Sequence, residues 1–425
     1  MLDAQTHTQS AIALARQRET WLRLPRLEAS ALCNLEDRLR VHLYTLSCWP
    51  GSDDTEPDEE HAAFVWLAVR LQSEETKLRQ QAAESALRWL VEADPPRAGA
   101  ARKALSLFPS NTTDELTLAQ YRENRELRAD LITIWHRQGR PLPQALLNQG
   151  ELQHGDAVLQ ASVLAYMADS EATGLDVFKY YYRPLLSAPG ELPHPEDVLL
   201  AAIRGGLIRG DAEALTALRR AMAIEEGEAL RPWLYLAALS GSEEFHPVLQ
   251  QHANASPETG YRLLALWGGR EAMRDLVAGL KDPRTSEAAS SAWLWITGQT
   301  LPQVPRLSVV GEEPAEASDV AAPGMIADLE AARGWWEAHQ DQWAPGERWI
   351  AGAPMSTPRL ASLAGEVAGT ASGDILNLLS LFCGRPLAVW ADGWFAQRLQ
   401  QLREFESTTA PDPARDQAAA AGRRA

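Results

Sequence analysis

Leu207-Ile-Arg-Gly210-Asp211, Ala238-Leu-Ser-Gly241-Ser242, Leu266-Trp-Gly268-Gly269 and Trp295-Ile-Thr-Gly298-Gln299 each close a stretch rich in Ala and Leu, and their glycines stand 31, 27 and 30 residues apart. A glycine just past an apolar helix supplies the left-handed residue that ends it. After the first three, a second amphipathic segment follows: Ala214, Leu215, Ala217 and Leu218, then Phe245, Val248 and Leu249, then Met273, Leu276, Val277 and Leu280. Each period thus spells one helical hairpin. A single hairpin cannot bury its apolar face, whereas stacked copies can, so the pattern predicts an α-solenoid of HEAT-like helical hairpins, with periods shorter than the usual roughly 40 residues.

The rest of the 425-residue chain agrees with an all-α class. Alternating β-branched runs are nearly absent, and Ala, Leu, Glu, Gln and Arg dominate at helical spacing. Leu32, Leu35, Leu39, Leu43 and Leu46 form one stripe of a helix. An earlier helix over about 10–22, ended with the help of Pro25, completes an N-terminal helical pair within residues 1–50. GSDDTEPDEE, 51–60, carries six acids and no base and reads as a solvated linker rather than an acidic metal site. HEAT-like repeats are expected over 61–300, then a linker or strap rich in proline and acid over 301–324. A Trp-rich C-terminal region, 325–406, is expected to cap the array, and a tail without aromatics, 407–425, to be disordered.

Charge narrows the partners. Against 40 Lys+Arg stand 57 Asp+Glu, a net charge of −17, whose field repels phosphate backbones; nucleic acid is not an expected partner. The basic residues are almost all Arg, Lys occurring at 77, 103, 179 and 281 alone, but they form no basic block and read as solvated helix faces. Cys33, Cys48 and Cys383 are odd in number and resemble no disulfide framework, which points to a reducing compartment. The opening MLDAQTHTQSAIALARQRETW lacks the basic and apolar regions of an export signal, and the apolar run 62–69 is far short of the roughly 20 residues that span a bilayer. A cytoplasmic protein with no membrane partner is expected.

Motifs for chemistry are weak. His246 and His252 are six apart with Pro247 between them, the wrong spacing for two imidazoles on one metal. Gly205-Gly-Leu-Ile-Arg-Gly210 has the glycine spacing of a phosphate loop, yet Asp211 and Ala212 stand where Lys and Ser/Thr would bind phosphate and magnesium. Gly369-Thr-Ala-Ser372-Gly373 resembles a nucleophile elbow only superficially and reads as a flexible loop. No catalytic residue, cofactor site or metal site is expected, and the protein is read as non-enzymatic.

Tryptophan is the anomaly, with 15 against 8 Tyr and 7 Phe. Trp66, Trp89, Trp135, Trp233, Trp267, Trp293 and Trp295 fall inside apolar helical runs and read as core. Trp335, Trp336, Trp343 and Trp349 crowd together with Arg348, and not all can point inward from one short helix. These five residues are either the cap of the array or an exposed protein-binding anchor, since Trp and Arg are enriched at interface hot spots. Tyr180-Tyr181-Tyr182-Arg183 reads as helix packing with one hydroxyl reaching solvent.

Three blocks, Leu35-Glu-Asp-Arg-Leu-Arg-Val-His42-Leu43, Ala292-Trp-Leu-Trp-Ile296-Thr297-Gly298 and the terminal Trp335-Trp336 with Pro345-Gly346-Glu-Arg348-Trp349-Ile350-Ala-Gly352-Ala-Pro354, taken in that order, resemble an uncharacterised proteobacterial family of HEAT-like helical-repeat proteins. Genes of that family often sit among type VI secretion components. The resemblance implies a cytoplasmic accessory or adaptor role with a secretion component or effector as protein partner, and it supplies no catalytic residues. The expected function is therefore a non-enzymatic protein-binding scaffold. The alternatives are an immunity-like inhibitor whose acidic face neutralises a basic toxin, or a helical-repeat enzyme such as a DNA glycosylase or cofactor lyase.

Overall fold

The computed structural model describes residues 3–49, 55–92, 94–141, 152, 155–187, 190–305 and 325–408. Among these the chain is predominantly α-helical, with 20 α-helices and six strands of two or three residues, so the all-α expectation holds. Residues 51–54 of the acidic stretch, 306–324 of the linker and 409–425 of the tail lie outside the described residues. No helix among the described residues is long and apolar enough to cross a membrane.

The chain forms two compact units, one built from Met1–Arg220 with Pro358–Ala410 and one that includes Ala221–Thr357, so the Trp-rich span 325–406 is divided between them.

The first unit begins with α1 (Ala4–Leu22) and α2 (Ala29–Ser47). Asp3 caps α1 by accepting from the Thr6 N–H, and the Leu32-35-39-43-46 stripe of α2 is buried, as its spacing predicts. Then come α3 (Glu60–Leu71), α4 (Thr76–Glu92), α5 (Pro95–Leu107), α6 (Asn111–Glu123) and α7 (Arg128–Arg137). Pro95 opens α5 at a position where the missing N–H is no loss, and Ser110 with Thr113 forms a reciprocal cap on α6. After them stand α8 (Ala157–Ala168), α9 (Leu175–Ser187), α10 (Glu196–Ile208) and α11 (Ala212–Ile224). Contacts run mainly between helices one or two apart in sequence: α3 with α4 and α5, α4 with α6, α5 with α7, α7 with α8, α8 with α10.

Residues from the far end of the chain complete this unit. The strand Leu27–Glu28 (β1) pairs antiparallel with Val367–Ala368 (β6). The helix Thr370–Cys383 packs on α10, and the helix Phe395–Thr408 packs on α2. At Gly369 (φ +78°) the backbone passes so close that a Cβ would stand 2.3 Å from the Leu24 carbonyl oxygen, and only glycine fits. A buried ion pair locks the arrangement. Arg18 Nε donates to Glu36 Oε1 (2.8 Å), Arg18 Nη2 to the carbonyls of Asp392 (2.6 Å) and Gly393 (3.1 Å), and the Phe395 N–H to Glu36 Oε2 (2.7 Å).

The second unit holds α12 (Arg231–Ser240), α13 (His246–Ala255), α14 (Pro257–Trp267), α15 (Arg270–Gly279) and α16 (Ser286–Thr297). Here too neighbours one and two apart touch: α12 with α14, α13 with α14 and α15, α14 with α16. Gly210, Gly241, Gly268 and Gly298, each just past an apolar helix, all take the left-handed conformation, φ +66° to +69°. Then follow β2 (Gln303–Pro305), which pairs with β3 (Met325–Ala327), α17 (Leu329–His339), and the hairpin of β4 (Trp349–Ile350) with β5 (Ala353–Pro354). The segment around β4 lies across helix ends: the Trp349 N–H donates to the Gly268 carbonyl (2.8 Å), that of Ala351 to Trp295 (2.9 Å) and that of Gly352 to Ile296 (2.8 Å). It forms a strap over those ends; of the span 301–324, expected to be a linker or strap, residues 306–324 lie outside the described residues.

Candidate functional site

Trp335, Trp336, Trp343, Arg348 and Trp349 all lie in the second unit. Trp335 and Trp336 sit on α17, which Asp328 caps by accepting from Glu330 and Ala331. Trp343 and Trp349 stack face to face at 4.6 Å, Trp336 meets Trp343 edge-on at 5.5 Å, and all three are buried. The Trp349 indole N–H donates to Glu347 (2.8 Å). Arg348 caps two helices at once. Its Nε donates to Trp267 O (2.8 Å), Nη2 to Leu266 O (2.8 Å) and Ala238 O (3.2 Å), and Nη1 to Leu239 O (3.1 Å). The carbonyls at a helix C-terminus have no partner in the helix, and a guanidinium satisfies several of them while complementing the negative end of the dipole. These four residues therefore spend their contact surface inside the unit. Trp335 is half-buried, edge-on to Trp293 at 5.0 Å and stacked on His339 at 4.2 Å.

Other residues singled out in the sequence have structural occupations. Trp89, Trp135, Trp233, Trp267 and Trp293 are buried, and Trp66 and Trp295 half-buried. His246 bonds Asp275 (2.7 Å) and His252 bonds Thr259 (3.1 Å). Gly205 and Gly206 lie inside α10, where a Cβ would strike Phe178 and Tyr182. The loop expected at 369–373 is corrected: Thr370 starts a helix, and Ser372 is fully buried, accepting from Arg398 at 2.5 Å. Of the tyrosine cluster, Tyr181 and Tyr182 are buried and Tyr180 is 68% exposed. Among the described residues no group of three or more His, Cys, Asp or Glu is placed to hold a metal ion.

A buried polar cluster in the first unit has a clear pH signature. Asp169 accepts from Arg204 (2.8 Å) and bonds His136 (2.9 Å). Burial works to raise its pKa, but the Arg204 charge and the His136 hydrogen bond prevail and hold the carboxyl below its ordinary value. Its contribution to stability is then complete above about pH 4 and lost as pH falls through the lower folded pKa. The stability difference between wild type and Asp169→Asn, read from urea unfolding, is expected to shrink between pH 7 and pH 3; an equal difference at both would contradict this.

The residues that sequence reasoning missed lie on α2. Opposite its buried leucines, Val41 is 62% exposed, Tyr44 65% and Trp49, just past the helix end, 37%, with Cys48 exposed between them. His42 and His7 flank the stripe, their Nδ1 atoms 2.9 Å apart, and His7 lies 6.2 Å from the Trp49 ring. The signal was legible as apolar residues at 41, 44 and 49, a second stripe on a helix already amphipathic. Compared with known proteins, the chain matches no family model, no curated protein and no solved structure.

Proposed function

We propose that the protein is a non-enzymatic scaffold that binds other proteins, an α-solenoid of HEAT-like hairpins acting in the cytoplasm as an accessory to type VI secretion. Support for the repeat reading comes from packing between helices one and two apart within each unit. Polar bonds that tie successive hairpins recur at similar separations: 28 residues for Arg102 with Asp130, 33 for His136 with Asp169, 29 for Tyr182 with Asp211 and 29 for His246 with Asp275. The observation that carries the binding function is the exposed Val41, Tyr44 and Trp49 stripe, because a helix whose opposite face already fills the core has no structural need for a second apolar face. A rigid helix presents such anchors with little ordering cost on binding. The partner class, a secretion component or effector, rests on the family resemblance.

Titration of the purified protein with type VI components of its own host, followed by calorimetry, tests this. Binding at micromolar concentration or tighter is expected, weakened at least tenfold by Val41→Asp or Tyr44→Asp. Both positions are exposed, so thermal stability should change by no more than about 0.5 kcal/mol. Absence of binding, or full affinity in both variants, would overturn the proposal.

A further inference from the structure

The first unit contains a cavity of about 250 Å³ between α1, α3, α5, α7 and the segment before the last helix. Leu22, Phe64 and Leu107 form an apolar wall, with the Trp390 indole beside them. Arg137, the last residue of α7, reaches this space with its guanidinium carbon 5.0 Å from the centre of the Trp390 ring. Its charge neighbours are Asp392, Asp130 and Arg102, yet among the described residues none gives it a hydrogen bond or ion pair. Asp130 is already taken by Arg102, at 2.6 and 3.1 Å. Burial pulls the Arg137 guanidinium below its ordinary pKa, against the opposing pull of the Asp392 charge.

Among the described residues Arg18, Arg23, Lys103, Glu19 and Glu60 of the wall are ion-paired, whereas the Asp392 carboxylate, like Arg137, has no direct hydrogen bond or ion pair. Lys103 bridges Glu19 (2.5 Å) and Glu60 (2.7 Å), and His61 bonds Glu59 (2.8 Å) and stands 3.2 Å from Glu19. The cavity therefore offers one planar cation with donors to spare, an apolar wall, and an acidic rim in which Glu19 and Glu60 are paired with Lys103 and Asp392 is not.

We propose that this cavity binds a small monocarboxylate with an apolar body. The guanidinium fork matches a carboxylate in two parallel hydrogen bonds, and Trp390 holds the fork from behind. The apolar body packs on Leu22, Phe64 and Leu107. The Asp392 carboxylate, which has no ion pair among the described residues, lines the cavity with Glu19 and Glu60 and selects against dianions, whose second negative charge adds to its repulsion. The ligand supplies a directly hydrogen-bonded counter-charge, which Arg137 lacks among the described residues, and the bound state is the more stable one.

The test uses the full chain with benzoate and butyrate as probes, uncharged benzamide and inorganic phosphate as controls, and calorimetry with thermal unfolding as readouts. Benzoate or butyrate should bind with a submillimolar Kd and raise the unfolding temperature, while benzamide and phosphate should bind at least tenfold more weakly. Arg137→Gln should weaken carboxylate binding at least tenfold. Ala15→Leu, which grows into the cavity from α1 with Arg137 intact, should also abolish it, so the proposal stays testable where Arg137→Gln fails to fold. No carboxylate binding, equal binding of benzamide or phosphate, or unchanged affinity in a folded variant would overturn it.

Discussion

Replacing Glu36 by alanine is expected to destabilise the protein by about 4 kcal/mol, because the Arg18 guanidinium, buried at 7% exposure, then keeps its charge without its carboxylate. The loss reaches further than the pair. Glu36 also accepts from the Phe395 N–H, and Arg18 holds the carbonyls of Asp392 and Gly393, so the returning C-terminal segment is anchored through these two side chains. Arg18 stacks on Trp394 at 5.0 Å as well. The double variant Arg18→Met, Glu36→Leu should recover a substantial part of the loss, since two charges leave together and apolar side chains take their volume. A urea-unfolding mutant cycle measures the coupling. A Glu36→Ala loss under 1 kcal/mol, or strict additivity of the two sites, would contradict the anchoring role.

Arg348→Ala should cost about 3 kcal/mol. Four carbonyls at the ends of α12 and α14 lose a charged donor, and those shielded from water bear the full penalty of an unmade hydrogen bond. Lysine should restore less than half of it, because a point charge cannot spread over four acceptors as a guanidinium does. Shifts in the urea midpoint at constant slope read the effect. Full rescue by lysine would mean that charge near the helix ends, not the geometry of the fork, is what matters.

Local rules made much of the fold legible. The helix class, the buried stripe of α2 and the left-handed glycines at 210, 241, 268 and 298 all follow from spacing and from the conformational freedom of glycine. What sequence did not disclose depends on distant pairs. Thr370 bonds the Leu24 carbonyl (2.9 Å) across almost the whole chain, and Gly369-Thr-Ala-Ser372-Gly373 reads as a loop because its residues are poor helix formers; burial of Ser372 against Arg398 overrides that propensity. The Trp cluster showed crowding but not direction, since the strap from Trp343 to Pro354 has no helical period to assign faces. Nothing in the sequence singles out Arg137; that among the described residues it has no direct hydrogen bond or ion pair is visible only in three dimensions. The exposed stripe of α2 was readable, and was overshadowed by the stronger Trp signal.

The central claim, a protein-binding scaffold serving type VI secretion, is tested most directly by affinity purification at native level from its own host, with wild type and Tyr44→Asp side by side and quantitative mass spectrometry. The account predicts a secretion component or effector recovered in stoichiometric amount with wild type and depleted at least tenfold with the variant. Recovery of no such protein, or equal recovery with both, would contradict it.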